Sequence, residues 1–333
     1  MALADPAPSG QLGILDEMIA VEEAALMART RRSHDLHEQA SAHLPGGVAS
    51  SWQDAPPCPV FVERGAGSRV WDVDGTEYVD LHGGFDTMIA GHGHPAIIAA
   101  VHARAAIGTH FAQPVPDIIT VAGELARRFG LPLWRFANSG TEATLAAVHL
   151  MRAVTGRARI IKVEGSYHGH HDAVQISVFP EVEAAGPPER PRAVPEHGAV
   201  AAGIAALTHV VPFGRLDAVR RVLLDHPGEV AGMIVEPVMM NIGVVPPPPG
   251  YLDTLARLLH THRALLTYDE VKTGLTIAPG GATERFGVVP DIVCLAKALG
   301  GGVPCGAIGG TAEVMEVIAG GTYEQVGTFN GNR

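Results

Sequence analysis

From about residue 130 onward the chain repeats one pattern: a short apolar run, then a turn, then an amphipathic stretch. The apolar runs predict buried strands, and the amphipathic stretches have the spacing of helices. The predicted strands are residues 134–137, 160–163, 233–235, 265–268 and 292–295, and the predicted helices include 142–154, 216–224 and 251–260. This alternation predicts an α/β fold, with a mostly parallel sheet sandwiched by helices.

The N-terminal part of the chain has a different pattern. Residues 1–12 are small and polar, with proline and glycine, and we expect them to be loose. The predicted elements here are a helix over residues 15–43, strands over 60–62, 69–72 and 77–81, and a second helix over 95–108. Asp74 and Gly75 predict a hairpin turn between the last two strands. We therefore expect a small N-terminal helix and strand segment.

Composition narrows the class of protein. The chain has 333 residues, of which 47% are hydrophobic, so it can bury a large core. Its net charge is −11 and no basic block occurs, which argues against a nucleic-acid partner. The three cysteines have no metal or redox spacing, which suits a reducing cytoplasm. Acidic residues interrupt the first apolar stretch, so we expect neither a signal peptide nor a membrane span.

Lys297 lies in an apolar run that ends in three glycines, CLAKALGGG at residues 294–302. Lysine is rare in this chain, because 21 of the 24 basic residues are arginines and the other two lysines are Lys162 and Lys272. Arginine cannot deprotonate or form an imine, whereas a desolvated lysine amine can do both. Lys297 is therefore a candidate for covalent chemistry. On this segment alone, a lysine whose charged end reaches solvent is the alternative.

Several polar residues lie shortly after the ends of predicted strands. They are Ser139, Tyr167, His168, Glu236, Asp269 and Lys297. Ligands of parallel sheets bind outside the carboxyl ends of the strands, where these positions meet. The sequence thus predicts a ligand site that these residues share.

The motif NSGTEAT, residues 138–144, joins a predicted strand to a predicted helix. Gly140 permits a tight turn, and the free amides at the helix start, with the Ser139 and Thr141 hydroxyls, predict an anion site. An ordinary helix cap, provided by Thr141, is the alternative.

Asp269 ends a predicted strand in the motif TYDEV. A carboxylate at this place could pair with a pyridinium nitrogen and so keep the ring an electron sink, and Val271 could pack on the ring face. A capping or solvated acid is the more ordinary interpretation of Asp269 alone.

Two histidine-rich motifs, GHGHP at residues 91–95 and YHGHHD at residues 167–172, permit a metal hypothesis. No acidic or thiolate partner recurs at a fixed spacing, so we predict no metal site. Tyr167 and His168 fit better as an aromatic ring and an imidazole beside a cofactor ring.

Taken together, these stretches resemble the class III aminotransferases, which are fold type I enzymes that use pyridoxal 5'-phosphate (PLP). The likeness is strongest to the glutamate-1-semialdehyde 2,1-aminomutases. The matching motifs occur in family order from about residue 45 to 332, and they include PGGV, GHGHP, NSGTEAT, YDEVKTG, the run around Lys297, and GTFNGN.

The resemblance implies roles for individual residues. Lys297 matches the lysine that holds PLP as an imine and moves the proton, and Asp269 matches the partner of the pyridinium nitrogen. The remaining matches to the cofactor site are Ser139, Gly140 and Thr141 for the phosphate, Tyr167, His168 and Val271 for the ring, and Glu236 and Asn241 for the hydroxyl edge. Thr328 matches the threonine that reaches the phosphate of the neighbouring subunit, which implies a homodimer with shared active sites.

Two departures from the family pattern stand out. Family members continue well past the position of Arg333, so the resemblance implies that a C-terminal small domain is largely missing. We accordingly expect an N-terminal segment at 1–90, a large PLP-binding domain at 91–326 and the start of a truncated domain at 327–333. The second departure lies after PGGV, where the aminomutases have an arginine and this chain has Trp52 and Gln53.

The function that the resemblance implies is PLP-dependent transfer of an amino group between a small-molecule amino donor and a carbonyl acceptor. The reaction would be that of an aminotransferase or of an aminomutase, on an amino acid or amine. A PLP racemase or decarboxylase on the same scaffold is one rival hypothesis. A catalytically inactive PLP-binding scaffold is another.

Overall fold

The computed structural model describes residues 9–331, with side chains from residue 13 onward. The chain divides into two compact units, Met1–Gly83 with Ala90–Ile98, and Gly84–Ile89 with Ala99–Arg333. The predicted domain boundaries at residues 90 and 327 stay predictions.

The first unit begins with two helices, α1 (Ser9–Arg29) and α2 (Arg31–Ser41). The single helix predicted over residues 15–43 is therefore wrong. The helix is interrupted at Thr30, whose backbone leaves the helical region (φ −118°, ψ 41°). The Thr30 hydroxyl donates to the Leu26 carbonyl at 2.7 Å. The expectation of a loose start is also wrong for residues 9–12, which are helical, and residues 1–8 lie outside the described part.

A three-stranded antiparallel sheet completes the first unit. Its strands are β1 (Val62–Ala66), β2 (Arg69–Asp72) and β3 (Glu77–Val79). The hairpin predicted at Asp74 and Gly75 is confirmed: Gly75 has φ +88°, and the Asp72 carboxylate accepts from the Thr76 amide at 2.7 Å. The first strand begins at Val62 rather than residue 60, because residues 62–66 are the ones that pair with β2.

The second unit contains most of the helices. The residues of two elements are divided between the two units. These elements are α3 (Gly83–Asp86), a left-handed turn, and α4 (Pro95–Ala105). The other helices are α5 (Asp117–Phe129), α6 (Gly140–Thr155), α7 (Val182–Ala185), α8 (Ala202–Ala205), α9 (Leu216–Asp225), α10 (Tyr251–Thr261), α11 (Gly281–Phe286) and α12 (Ala312–Ala319).

A seven-stranded sheet forms the centre of this unit, in the order β4-β10-β9-β8-β7-β5-β6. The strands are β4 (Leu133–Ala137), β5 (Arg159–Val163), β6 (Thr208–Val211), β7 (Val230–Val235), β8 (Leu265–Asp269), β9 (Ile292–Leu295) and β10 (Gly306–Gly310). Strands β5 to β9 pair in parallel, and β10 runs antiparallel to both β4 and β9. The predicted mostly parallel sheet is confirmed.

Strand β10 was absent from the sequence-based prediction because its sequence is GAIGG, and glycine is disfavoured in strands. The glycines are required by close packing. A Cβ atom added to Gly306 would lie 2.6 Å from the Ser139 carbonyl oxygen, and one added to Gly309 would meet the Trp134 ring at 2.5 Å. Strand β10 can therefore approach β4 closely only with glycine at these positions.

Helices cover both faces of the sheet, as neighbouring side chains in the strands indicate. Ile160 belongs to one buried apolar cluster and Ile161 to the other, and Met233 and Ile234 divide in the same way. Successive strand residues point to opposite faces, so the two clusters are the two sides of the sheet. The carboxyl ends of the parallel strands stay open for a ligand.

Candidate active site

A cleft of about 310 Å³ opens at the carboxyl ends of the strands in the second unit. Eight of the residues predicted for the site line it: Ser139, Gly140, Thr141, Tyr167, His168, Asp269, Val271 and Lys297. The other lining residues are Thr87, Asn138, Thr144, Gly169, Lys272, Ala296, Gly302, Val303, Pro304 and Cys305. Residues that follow the carboxyl ends of four strands, β4, β5, β8 and β9, thus meet at one place.

The turn before α6 lines one end of the cleft. Ser139 is the N-cap of this helix, and its hydroxyl accepts from the Glu142 amide at 3.2 Å. The alternative cap by Thr141 is therefore wrong, because the Thr141 hydroxyl instead accepts from the His170 amide at 3.1 Å. Backbone amides in the first turn of this 16-residue helix point toward the cleft end and favour an anion there.

Glycines allow a ligand to approach this turn closely. A Cβ atom on Gly140 would lie 3.0 Å from Cγ1 of Val271, and one on Gly169 would lie 2.7 Å from Oγ1 of Thr141. Gly169 also has φ +100°, a conformation that side chains rarely adopt. Both positions thus fit a cradle that larger residues would fill.

Asp269 lies at the end of β8 and is only 4% exposed. Its Oδ2 is 2.7 Å from Nδ1 of His168, and its Oδ1 accepts from the Val271 amide at 3.0 Å. His168 is buried, and within residues 9–331 its Nε2 has no hydrogen-bond partner. The imidazole therefore helps to orient the carboxylate, and the sequence pattern did not predict this pairing.

Lys297 lies just past the end of β9 and is half-buried in the cleft wall. Its backbone has φ +48°, which is strained for a residue with a side chain. Burial lowers the pKa of its amine, and the positive charge of Lys272 lowers it further. A lysine with a lowered pKa has more of the neutral, nucleophilic amine at physiological pH.

Glu236 lies behind the cleft rather than in its wall. Its Oε1 accepts from the Tyr167 amide at 2.9 Å, and its Oε2 from the Met240 amide at 3.0 Å and from the Lys272 ammonium at 3.1 Å. Glu236 thereby fixes the positions of both Tyr167 and Lys272.

Two further predicted site residues also lie outside this cleft. The Asn241 side chain donates to the Gly165 carbonyl at 3.0 Å. Thr328 is exposed, and its carbonyl oxygen is 2.6 Å from Nε2 of His110. It lines a second cleft of about 860 Å³ together with Trp134 and Phe136. The cofactor roles of Glu236, Asn241 and Thr328 stay predictions.

The sequence analysis missed Lys272, although a signal was available. Lys272 is one of only three lysines and follows Asp269 by three residues. Its ammonium lies 5.7 Å from the centroid of the Tyr167 ring, and its side chain is 15% exposed. Its rarity and its place after a strand end could have identified it.

The histidine-rich motifs form no metal centre in the part of the chain that the structure describes, where no group of three His, Cys, Asp or Glu residues could hold an ion. Within the same part, no helix combines the length and apolar character needed to cross a bilayer.

Comparison with known proteins identifies the family. The sequence profile described as "Aminotransferase class-III" matches residues 50–333. The chain belongs to the class III aminotransferases. A relative named glutamate-1-semialdehyde 2,1-aminomutase, from Roseiflexus castenholzii, is 41% identical over 313 residues, which are 91% of this chain and 70% of that relative.

Solved structures agree with the family assignment. An omega-transaminase from Sphaerobacter thermophilus is 35% identical, with a TM-score of 0.86 over 90% of this chain and 69% of that chain. A transaminase with PLP bound is 33% identical, with a TM-score of 0.84 over 91% of this chain and 70% of that chain. This class III aminotransferase therefore has the fold of the type I PLP transferases, and the chain spans about 70% of the length of these relatives.

The family assignment makes the protein a PLP-dependent enzyme that transfers amino groups. The cleft fits this cofactor on its own geometry, because an anion cradle and a buried carboxylate both line it. When bound, PLP supplies an electron sink for the substrate carbon.

Proposed function

We propose that Lys297 is the lysine that carries the cofactor of this aminotransferase and later moves the substrate proton. The observation that supports the proposal is the cleft itself, in which Lys297, Asp269 and the turn at residues 139–141 line one space. The turn would hold the phosphate, and Asp269 would hold the proton of the ring nitrogen. Tyr167 and Val271 line the same space and would contact the ring.

Each residue then has a physical task. The lowered pKa of Lys297 leaves its amine able to accept a proton, and its place in the cleft wall keeps the amine near the substrate carbon. The two hydrogen bonds of Asp269 hold its carboxylate in place, where it would accept a hydrogen bond from the protonated ring nitrogen. Val271 and Tyr167 would restrict water from the faces of the ring.

Borohydride reduction of the purified protein, followed by peptide mapping, tests the assignment of Lys297. We expect the reduced cofactor to be attached to Lys297. The other lysines of the chain are Lys162 and Lys272, and attachment to either of them contradicts the proposal.

We further propose that two chains pair and that Thr328 of one serves the phosphate of the other. Its exposure, and its place in the second cleft rather than in the Lys297 cleft, support a role across an interface rather than within one chain. Glu236 and Asn241 would support the hydroxyl edge of the cofactor, Glu236 by fixing Tyr167. Sedimentation should show a dimer when PLP is bound, and a stable monomer with full PLP occupancy contradicts this part of the proposal.

We propose a cytoplasmic location, because the wide spacing of the three cysteines in the sequence, with no metal or redox pattern, suits a reducing compartment. The amino donor and acceptor are small molecules.

For the substrate, we propose an amino donor other than glutamate 1-semialdehyde. The Gln53 side chain accepts from the Ala49 amide at 3.2 Å, and glutamine cannot make the two-pronged ion pair that arginine makes with a carboxylate. Such charged hydrogen bonds contribute about 1.5–3 kcal/mol, or roughly 10- to 150-fold in binding. The Gln53→Arg variant should therefore improve turnover of the semialdehyde.

The aminomutase reaction is the second candidate, because the 41% identical relative bears that name. Comparable turnover of the semialdehyde by this protein and by an authentic aminomutase, with no gain in Gln53→Arg, would favour the second candidate.

The rival hypotheses are separated by a colour test. A yellow protein that bleaches with an amine donor and recovers with a keto acid transfers amino groups. Substrate turnover without bleaching favours a racemase or decarboxylase, and a yellow protein that neither bleaches nor turns over substrate favours an inactive PLP-binding scaffold.

A further inference from the structure

The cleft contains two lysines of different standing. Lys297 follows β9, and Lys272 lies in the turn after β8. An ammonium group near a second lysine raises the free energy of the site by charge repulsion, unless an acidic partner offsets it.

Glu236 provides that partner and fixes the ammonium in space. The carboxylate is 2% exposed and is itself held by two backbone amides, those of Tyr167 and Met240. Because the acceptor cannot move freely, the Lys272 ammonium at 3.1 Å from Oε2 cannot either. Its Nζ lies 5.7 Å from the Tyr167 ring centroid, and Lys272 and Tyr167 both line the cleft.

The charges that act on Lys297 oppose one another. Asp269, Asp86 and Glu236 favour its protonated form, whereas burial and Lys272 disfavour it. Burial has the largest effect and Lys272 the next, so the net direction of the Lys297 pKa is downward. Neutralising Lys272 would leave three carboxylates opposed by burial alone.

We propose that the Lys272 ammonium, held by Glu236, keeps the Lys297 amine reactive by disfavouring a second positive charge in the cleft. Lys272 acts through Lys297 and is thus a positioning residue. The inference rests on the proposed role of Lys297, and it adds a chemical purpose to a lysine that the proposed function leaves unused.

The test compares Lys272→Met, which removes the charge and keeps the length, with the charge-retaining Lys272→Arg. The full chain, freed of cofactor, is pulse-labelled with acetic anhydride between about pH 6 and pH 10, and mass spectrometry follows Lys297 against the α-amino group as internal reference. In Lys272→Met we expect the labelling midpoint of Lys297 to move to higher pH, so that labelling at about pH 8 falls roughly threefold to tenfold. Lys272→Arg should stay within about twofold of the parent.

The PLP-loaded protein gives a second readout. The pH midpoint of the cofactor's absorbance change should move in the same direction in Lys272→Met and return in Lys272→Arg. If Lys272→Met does not fold, as judged by circular dichroism, Lys272→Gln repeats the comparison.

Unchanged Lys297 labelling in Lys272→Met overturns the inference, and so does an equal loss in Lys272→Arg, because charge would then not be the cause. Borohydride mapping is run on each variant in parallel. A reduced adduct away from Lys297 overturns the proposed function itself, whereas an adduct on Lys297 with unchanged titration overturns the inference alone.

Discussion

Two lysines of the second unit, Lys162 and Lys297, both have a lowered pKa but differ in function. Burial lowers the pKa of both amines, that of Lys162 to about 7. Lys162 lies within β5, is fully buried, and donates to the Ser166 carbonyl at 3.1 Å and to the Ile176 carbonyl. Lys297 lies just past the end of β9 and lines the cleft.

The difference shows that a lowered pKa alone does not make a reactive lysine. Both hydrogen bonds of Lys162 tie β5 to the segment at residues 166–176, which carries Tyr167 and His168, so its task is to hold that segment. Lys297 has access to a ligand because side chains beyond the carboxyl ends of parallel strands meet in the crevice. Position along the strand separates the two tasks.

The largest expected effect comes from Lys297→Ala, which should lower amino transfer by at least about a thousandfold, since a covalent step loses its nucleophile. Its thermal midpoint should stay close to that of the parent. The matched variant on the other side of the comparison is Lys162→Met, for which we expect transfer within about tenfold of the parent and a lower stability. Single-turnover absorbance with an amine donor measures the first quantity, and calorimetry the second. A larger activity loss in Lys162→Met than in Lys297→Ala would reverse the comparison.

The next largest effect concerns Asp269, which lines the same cleft as Lys297 and lies at the end of β8. Removing one member of a buried charge pair costs a few kcal/mol, and about 1.4 kcal/mol of activation free energy corresponds to a tenfold change in rate. Asp269→Ala should therefore lower the rate of amino transfer by about two or more orders of magnitude. Asp269→Asn preserves the shape and can still accept from the Val271 amide, so it isolates the charge. Steady-state kinetics within threefold of the parent in Asp269→Ala would refute the pairing with the ring nitrogen.

The pH dependence of stability sharpens the Lys162 side. The folded-state pKa of about 7 is below the 10.5 of an unperturbed lysine, so between these values the unfolded chain binds more protons than the folded chain. The free energy of unfolding therefore rises with pH across this window. The cost of burying a protonated Lys162 is fully present below the window and is gone above it. Between about pH 7 and pH 9, urea unfolding should show the parent gaining about 2 kcal/mol relative to Lys162→Met. A constant difference between the two proteins would mean that Lys162 is charged in the folded chain.

The smallest effect tests the segment that Lys162 holds. Gly169→Ala combines a backbone at φ +100° with a Cβ only 2.7 Å from Oγ1 of Thr141. Gly243→Ala is a matched control, because Gly243 has φ +107° but open space around its Cβ. Both variants should lose about 1 kcal/mol from backbone strain, and Gly169→Ala should lose roughly 1 kcal/mol more and bind PLP several-fold more weakly. Equal losses in calorimetry and in PLP titration would show that the contact with Thr141 relaxes freely.

Local sequence patterns were sufficient to predict most helices and strands of the second unit. The helix start at residues 138–141, the strands that end at Asp269 and before Lys297, and the alternation that makes a parallel sheet are all written in short windows of sequence. Errors occurred where a single residue decided the outcome, as at Thr30, where a side-chain hydrogen bond accompanies a break in the helix. Strand β10 was missed because its glycines reflect the packing of β4 and not any strand preference.

The sequence by itself determined the fold class, the family and which strand ends carry chemistry, because strand period, turn residues and motif order are properties of neighbours along the chain. Only the tertiary structure decided which of these residues touch. His168 pairs with Asp269 across 101 residues, and Lys272 pairs with Glu236 across 36 residues. Contacts at such separations depend on strand order and on the directions of side chains at the sheet edge, which no local pattern encodes. For the same reason, the sequence predicted a reactive Lys297 but not the ammonium beside it.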